Sequence, residues 1–162
     1  NGEKMEKVSI IVPVYNAAEY VGKCLESVAL QDYKNIEIIV VEDGSYDESP
    51  DVCKEYARRY DNIKVYHDKC GTAGAARNYG MSKAQGEYFI FVDSDCMFPP
   101  QWLAEIEKAQ NEHYYDAEKY KDLPKARLYD QMITDSFGCY KGYAGVMQQY
   151  IFNYERNIIH GK

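Results

Sequence analysis

Two apolar, mostly β-branched runs constrain the fold of this chain more than any other feature of it. They are Val8-Ser-Ile-Ile-Val-Pro-Val and Ile36-Glu-Ile-Ile-Val-Val, and neither alternates polar with apolar positions. A near-continuous apolar run of this length indicates a strand that is covered on both faces, as in a parallel sheet between layers of helices. Two further runs, 63–67 and 88–92, also have the length and composition of strands.

Helical patterns separate these predicted strands. In segment 17–31 the apolar residues recur at the spacing of one helix face, at Tyr20, Val21, Cys24, Leu25 and Val28. The segment after the second strand repeats this stripe at Val52, Cys53, Tyr56, Ala57 and Tyr60. A third helix is predicted from Thr72, as its N-cap, to about Gln85. Strand and helix alternating at this spacing predict right-handed βαβ units and a mostly parallel α/β sheet.

The last third of the chain has a different character. A helix is predicted from Gln101 to about Asn111, followed by polar, Tyr-rich and Lys-rich sequence with a break at Pro124. Two more helices are predicted near 125–134 and 143–156, and no strand. We therefore divide the sequence into an N-terminal extension (1–7), an α/β half (8–103) and a mostly helical C-terminal part (104–162), all within one domain.

Composition narrows the range of partners and compartments. A net charge of −7 gives no general attraction to phosphate backbones, which argues against a nucleic-acid partner. No apolar run approaches the roughly 20 residues of a membrane span. The five cysteines are widely spaced and form no Cys-x-x-Cys pair, which favours a reducing cytoplasm over a disulfide framework or a zinc knuckle. We expect Cys24 and Cys53, on apolar helix faces, to be small buried hydrophobes.

Polar residues follow the predicted strands at the edge where open parallel sheets bind ligands. The candidates are Tyr15 and Asn16 after the first strand, Glu42 and Asp43 after the second, Asp93 and Asp95 after the fourth, and Arg77 early in the third helix. We expect this edge to carry the functional site.

Asp93-Ser94-Asp95 is the sharpest of these elements. Two carboxylates one residue apart, beyond a buried strand, offer hard oxygen ligands that suit Mg²⁺ or Mn²⁺, and such an ion can accept diphosphate oxygens. The alternative is an acidic turn in solvent. Asp43, taken alone, fits equally well as the turn former of Asp43-Gly44.

Four segments in this order resemble the family 2 glycosyltransferases of the GT-A fold, whose mostly parallel, Rossmann-like sheet has flanking helices. They are Val8–Asn16, Ile39–Ser49, Ala75–Gly80 and Gly86–Asp95, and the resemblance extends over residues 8–103.

The resemblance implies roles for the strand-end residues in binding a nucleotide-diphosphate sugar, here a UDP-linked one. The base would lie against the segment that carries Pro13, Tyr15 and Asn16. Asp43 would accept a hydrogen bond from the base.

It also implies how the other end of the donor is held. Arg77 would face the nucleotide or its phosphates, and Asp93 would lie near the ribose and the metal. Asp95 would be the direct ligand of Mn²⁺ or Mg²⁺. Many members carry a third acid after this motif, whereas this chain has Cys96.

The family's reaction inverts the anomeric carbon by a single displacement, in which a downstream Asp or Glu takes the proton of the acceptor hydroxyl. No family motif surrounds an acid in the C-terminal part, which would be an incomplete acceptor half; Asp135 is the candidate base by distance in sequence. We therefore expect this 162-residue chain to bind donor but to transfer sugar slowly or not at all.

The resemblance further implies a carbohydrate or lipid-linked glycan as acceptor. We expect a cytoplasmic protein, with peripheral association at the inner face of the membrane as an option.

Two alternatives remain open at this point. One is a non-catalytic nucleotide-sugar-binding domain, and the other is a phosphohydrolase of the haloacid dehalogenase type with Asp93 as nucleophile. A nicotinamide-binding domain is excluded, because no Gly-x-Gly-x-x-Gly follows any predicted strand.

Overall fold

The computed structural model describes residues 6–106, in which strands and helices alternate. The elements are β1 (Val8–Val14), α1 (Ala18–Ala29), β2 (Ile36–Glu42), α2 (Ser49–Arg59), β3 (Ile63–His67), α3 (Ala73–Lys83) and β4 (Tyr88–Phe91). The chain divides into two units, Asn1–Gln101 and Trp102–Lys162, and all seven elements belong to the first. Of the second unit only residues 102–106 are described, and they are helical.

The four strands form one parallel sheet in the order β3-β2-β1-β4. β1 and β2 are its central strands, and Val8 to Val14 pairs in register with Ile36 to Glu42. Every residue of β2 is buried, as are all residues of β1 except the half-buried Pro13. The prediction of a mostly parallel sheet with two strands covered on both faces is therefore confirmed.

The helix α3 packs on one face of the sheet, where Ala76 joins a buried cluster with Ile11, Ile39 and Val41. The backbone of α3 comes very close to β1 there: a Cβ on Gly80 would lie 2.5 Å from Cγ2 of Ile11. Alternate strand residues point to the other face. These residues, Ile10, Val12, Ile38 and Val40, are also fully buried.

Most predicted boundaries agree with the structure to within two residues, and Thr72 is the N-cap of α3, with its Oγ1 accepting from Ala75 N at 3.1 Å. The helical stripe predicted in α2 is only partly right, because Cys53 is its one fully buried member. α2 also begins earlier than that stripe, at Ser49.

The helix predicted from Gln101 is observed over residues 102–106. Its continuation and the helices predicted near 125–134 and 143–156 lie outside the described residues. The assignment of 104–162 to an acceptor half therefore stays a prediction.

Cys24 and Cys53 are fully buried, as expected of small hydrophobes, and burial raises the pKa of each thiol to about 12. Both therefore remain uncharged throughout the physiological pH range. Within residues 6–106, no helix is long and apolar enough to cross a membrane.

Candidate functional site

A single cleft at the carboxyl end of the strands brings the predicted site residues together. Its volume is about 710 Å³. The lining includes the predicted residues Pro13, Tyr15, Asn16, Asp43, Arg77, Asp93 and Asp95, but of the strand-end candidates in the described part of the chain it lacks Glu42. The candidate base Asp135 lies outside the described residues.

Asp43 stands directly after β2, where its backbone N–H donates to Val14 O at 2.9 Å. Its Oδ1 accepts hydrogen bonds from Cys70 N and, at 3.0 Å, from Gly71 N. Gly44 and Gly71 both have positive φ, 71° and 82°, and glycine adopts this conformation without steric cost. One carboxylate oxygen of Asp43 thus anchors the loop before α3, and Oδ2 makes no hydrogen bond to the described residues.

Asn16 organises the turn opposite Asp43. It has a left-handed φ of 48°, and its backbone N–H donates to Ser45 Oγ at 3.0 Å. Its Oδ1 accepts from Tyr46 N at 2.9 Å. Asn16 lines the cleft. Its side-chain oxygen Oδ1, however, holds the loop after β2 and is not free to bind a ligand.

Two exposed tyrosines lie beside this turn. The rings of Tyr15 and Tyr46 meet edge to face, with centroids 6.4 Å apart. They are 54% and 87% exposed, although both belong to the lining of the cleft. Exposed aromatic rings in a cleft are well suited to contact a planar base or a sugar ring.

Glu42 does not belong to the site, although the sequence places it at the same strand end as Asp43. It is buried, and its carboxylate accepts from Ser45 N at 2.6 Å and lies 3.1 Å from Nδ1 of His67. Burial raises the pKa of Glu42, but the hydrogen bonds from Ser45 and the contact with His67 outweigh this, and the pKa is lowered. Glu42 therefore supports the turn as a buried carboxylate.

At the other end of the cleft, α3 and the end of β4 are joined by an ion pair. Nη2 of Arg77 donates to Oδ1 of Asp93 at 3.0 Å. Nε of Arg77 is buried and has no hydrogen-bond partner among the described residues. The backbone carbonyl of Asp93 accepts from Cys96 N at 3.1 Å and from Cys24 Sγ at 3.5 Å, which fixes the turn that carries both carboxylates.

Among residues 6–106, Asp93, Asp95 and Cys96 form a cluster that could hold a metal ion, since one ligand atom of each lies within 4.8 Å of the others. Sγ of Cys96 donates to Oδ1 of Asp95 at 3.6 Å. Burial and the neighbouring carboxylates raise the pKa of Cys96. Sulfur is a soft donor, whereas Mg²⁺ and Mn²⁺ favour hard oxygen ligands. The two carboxylates remain as hard oxygen donors, which fit Mg²⁺ or Mn²⁺.

The cleft also contains residues that sequence reasoning did not assign to it, including Tyr20, Tyr46, Lys69 and Thr72. Tyr20 was expected on the apolar stripe of α1, but it is 51% exposed. Lys69 follows the end of β3 by two residues, so the strand-end argument applied to the other three strands would have found it.

Comparison with known proteins identifies the family. The family model for glycosyl transferase family 2 matches residues 9–131. Glycosyltransferase GlyA of Streptococcus pneumoniae is 40% identical over 111 residues, which is 68% of this chain and 16% of GlyA. Glycosyltransferase GlyG of the same organism is 43% identical over 91 residues, 56% of this chain and 30% of GlyG.

Solved structures show the same likeness. TarS 1-349 of S. aureus in complex with UDP has a TM-score of 0.61 and 34% identity, covering 68% of this chain and 33% of that chain. TarS has also been solved in complex with UDP-GlcNAc, with the same TM-score and identity. The mannosyltransferase PcManGT of Pyrobaculum calidifontis, in complex with GDP-Man and Mn²⁺, has a TM-score of 0.59 and 28% identity, covering 64% of this chain and 32% of that chain.

The chain thus spans a third or less of each of these relatives. The parallel sheet with flanking helices is the GT-A fold that these glycosyltransferases share. The family match argues against the phosphohydrolase alternative for Asp93. The chain belongs to glycosyl transferase family 2.

Proposed function

We propose that this chain is the donor-binding part of a glycosyltransferase that moves a sugar from a nucleoside diphosphate, UDP, to an acceptor hydroxyl. One observation carries the proposal. A single cleft has on one side of β1 the carboxylate of Asp43, one oxygen of which bonds to none of the residues 6–106, and on the other side the Asp93–Asp95 carboxylates. A ligand with a planar base at one end and phosphates at the other matches that arrangement.

The choice of UDP rests on Asp43. Its Oδ2 makes no hydrogen bond to the described residues and can accept one from the N3–H of uracil, whereas cytosine has no hydrogen at that nitrogen. The TarS complexes with UDP and UDP-GlcNAc support the same donor class.

The cleft is also suited to a divalent cation, Mn²⁺ or Mg²⁺. Oδ1 of Asp93 pairs with the Arg77 guanidinium at 3.0 Å, whereas Oδ1 of Asp95 accepts a longer and weaker hydrogen bond from Sγ of Cys96, at 3.6 Å. Asp95 is therefore the more available ligand, with Asp93 beside it. When bound, the ion would neutralise charge on the departing diphosphate. The Mn²⁺ complex of PcManGT supports this assignment.

Arg77 contributes a second favourable charge for the phosphates. Its Nη2 is engaged by Asp93, while its Nε has no partner among the described residues. As a cation in the lining of the cleft, Arg77 can form charge-assisted hydrogen bonds with phosphate oxygens.

The reaction requires a base that the described cleft does not offer. In an inverting displacement the acceptor oxygen bonds to C1 as the bond from C1 to the diphosphate oxygen breaks, and a carboxylate takes the hydroxyl proton. The acids in the described lining, Asp43, Asp93 and Asp95, are all assigned to the donor. The base would therefore come from another part of the protein, and Asp135 is the candidate within this chain.

The wider context follows from the same proposal. The acceptor would be a carbohydrate or a lipid-linked glycan, and the protein would act in the cytoplasm, at the inner face of the membrane if the acceptor is lipid-linked. A non-catalytic nucleotide-sugar-binding domain is the second candidate, because the described lining has no unassigned acid. Acceptor-dependent release of UDP distinguishes the two.

A thermal-shift screen tests the donor class. UDP, UDP-sugars, CDP and GDP-mannose are each added with Mn²⁺ and with EDTA. A ligand at 100 times its dissociation constant stabilises a protein by about 2.7 kcal/mol, which shifts the melting temperature by several degrees. We expect such a shift with UDP and UDP-sugars in Mn²⁺ only. No shift with any nucleotide in Mn²⁺ would contradict the proposal.

A further inference from the structure

A second cation, Lys69, lines the cleft and has no assigned role. It is exposed, and it forms no ion pair with any residue of the described chain, whereas the other cation of the cleft, Arg77, is engaged by Asp93. Its stem packs beside Gly44: a Cβ placed there would lie 3.1 Å from Cγ and 3.3 Å from Cε of Lys69. The ammonium, one bond beyond Cε, therefore lies near the Asp43-Gly44 turn.

The strand order fixes where Lys69 lies along the cleft. Lys69 follows β3, Asp43 follows β2, Tyr15 follows β1 and Asp93 follows β4, and this is the spatial order β3-β2-β1-β4 of the sheet. Neighbouring strands are about 4.8 Å apart, so the ends of β3 and β4 are separated by about 14 Å. A four-carbon stem that rests on Gly44 does not bridge that distance, so Lys69 is remote from the Asp93–Asp95 end.

We propose that Lys69 donates a hydrogen bond to the O4 carbonyl of the uracil base and thereby sets the nucleotide specificity of the cleft. The inference rests on the proposed function, in which the diphosphate lies towards Asp95. In a uridine nucleotide the ribose is attached at N1, and C4 is the ring atom opposite N1. With the ribose and phosphates directed towards β4, the base atom nearest β3 is therefore O4.

Asp43 and Lys69 then contact neighbouring atoms of one base edge. Oδ2 of Asp43 accepts from N3–H, and the Lys69 ammonium donates to the adjacent O4. Cytosine has the opposite pattern, an acceptor at N3 and an amino donor at C4, so both contacts would fail with it. A site whose polar groups match the hydrogen-bonding edge of uracil discriminates strongly against cytosine, because those groups are left without partners when cytosine binds.

Calorimetry with Mn²⁺ present tests this on the chain as it exists. Affinities for UDP and CDP are measured for the wild type, for Lys69→Met and for Lys23→Met, a matched control at an exposed position of α1 outside the cleft. We expect Lys69→Met to weaken UDP about tenfold and to leave CDP unchanged or tighter, since a charge-assisted hydrogen bond is lost only with UDP. Lys23→Met should match the wild type.

Two results would overturn the inference. If Lys69→Met weakened UDP and CDP equally, Lys69 would act through a general charge effect on the phosphates. If it changed the affinity for neither nucleotide, Lys69 would not contact the base. A wild type that binds neither nucleotide overturns the proposed function itself, which is a distinguishable failure.

A modified ligand provides an independent measurement. In 4-thio-UDP the N3–H is kept and O4 is replaced by sulfur, a weaker acceptor. The wild type should bind it less tightly than UDP, and Lys69→Met should bind the two alike. If the wild type and Lys69→Met both lost the same affinity on going from UDP to 4-thio-UDP, the O4 contact would belong to another residue.

Discussion

Nη2 of Arg77 lies 3.0 Å from Oδ1 of Asp93, and this ion pair connects the first half of α3 to the end of β4. The Asp93 side chain is 65% exposed and that of Arg77 is 31% exposed. An ion pair as open as this contributes at most about 1 kcal/mol to folding. Its more important consequence is that it places a guanidinium beside the two carboxylates proposed to hold the metal and the diphosphate.

Replacement of Arg77 separates binding from stability. Arg77→Met should weaken UDP by tenfold or more, because a charged donor to the phosphates is lost, while the free energy of unfolding changes by about 1 kcal/mol or less. Arg77→Lys should restore binding only in part, since an ammonium lacks the planar fork. Calorimetry measures the UDP affinity, and urea unfolding measures the free energy of unfolding.

Arg58→Met, at an exposed position of α2, is the control. Equal UDP affinities of the Arg77→Met and Arg58→Met variants would refute the role of Arg77.

Asp43→Asn should shift the base preference towards cytosine rather than abolish binding. The amide oxygen of asparagine can still accept from Cys70 N and Gly71 N, so the loop before α3 stays anchored. The amide NH₂ then replaces Oδ2, and it would donate to the unprotonated N3 of cytosine instead of accepting from uracil. Competition between UDP and CDP should shift towards CDP by at least tenfold. An unchanged UDP to CDP ratio would remove Asp43 from the base site.

Two glycines of α3 should respond to alanine in opposite directions. Gly80→Ala places a Cβ 2.5 Å from Cγ2 of Ile11 and 3.2 Å from Cγ2 of Val41, both buried, and should cost about 1–3 kcal/mol through overpacking. Gly74→Ala meets nothing within 4 Å and should gain up to about 1 kcal/mol from helix propensity. Chemical denaturation of both variants gives the comparison. Similar changes in both would mean that α3 does not approach β1 as described.

The buried carboxylate of Glu37 should make stability fall in acid. Burial raises the pKa of Glu37, but its hydrogen bonds with Ser9 and Gln85 and the nearby Lys7 and Lys64 outweigh this, and the pKa lies below its usual value. Because the folded-state pKa is the lower one, this contribution is present above the unfolded pKa of about 4.3 and is lost as pH falls below it.

Urea unfolding between pH 7 and pH 3 measures that loss. The Glu37→Gln variant should show a flatter decline than the wild type, and Glu55→Gln, at an exposed position of α2, should not. Parallel declines in all three proteins would show that Glu37 is not the group responsible.

The fold was predictable because the strongest local patterns agree with the global arrangement. The runs beginning at Val8 and Ile36 have no polar face, and they are the two central strands. The strand-end rule then placed Asp43, Arg77, Asp93 and Asp95 at one edge, and all four line one cleft.

What escaped prediction depends on the direction of individual side chains. Glu42 and Asp43 are adjacent in sequence, yet Glu42 is buried beside His67 and Asp43 lines the cleft, because successive residues at a strand end point to opposite sides. Tyr20 fits the apolar stripe of α1 by spacing, and only the position of the cleft explains its exposure. The position of Lys69 along the cleft follows from the strand order β3-β2-β1-β4. Sequence periodicity alone does not give that order.

The most direct test of the central claim is calorimetric titration of UDP in Mn²⁺ and in EDTA. The test variant is Asp95→Asn and its control is Asp61→Asn. Each replaces one exposed acid, but only Asp95 lines the cleft. We predict that the wild type and Asp61→Asn bind UDP at least tenfold more tightly in Mn²⁺ than in EDTA, and that Asp95→Asn loses this difference together with most of its affinity. Equal UDP affinity of the wild type in Mn²⁺ and in EDTA would contradict the account.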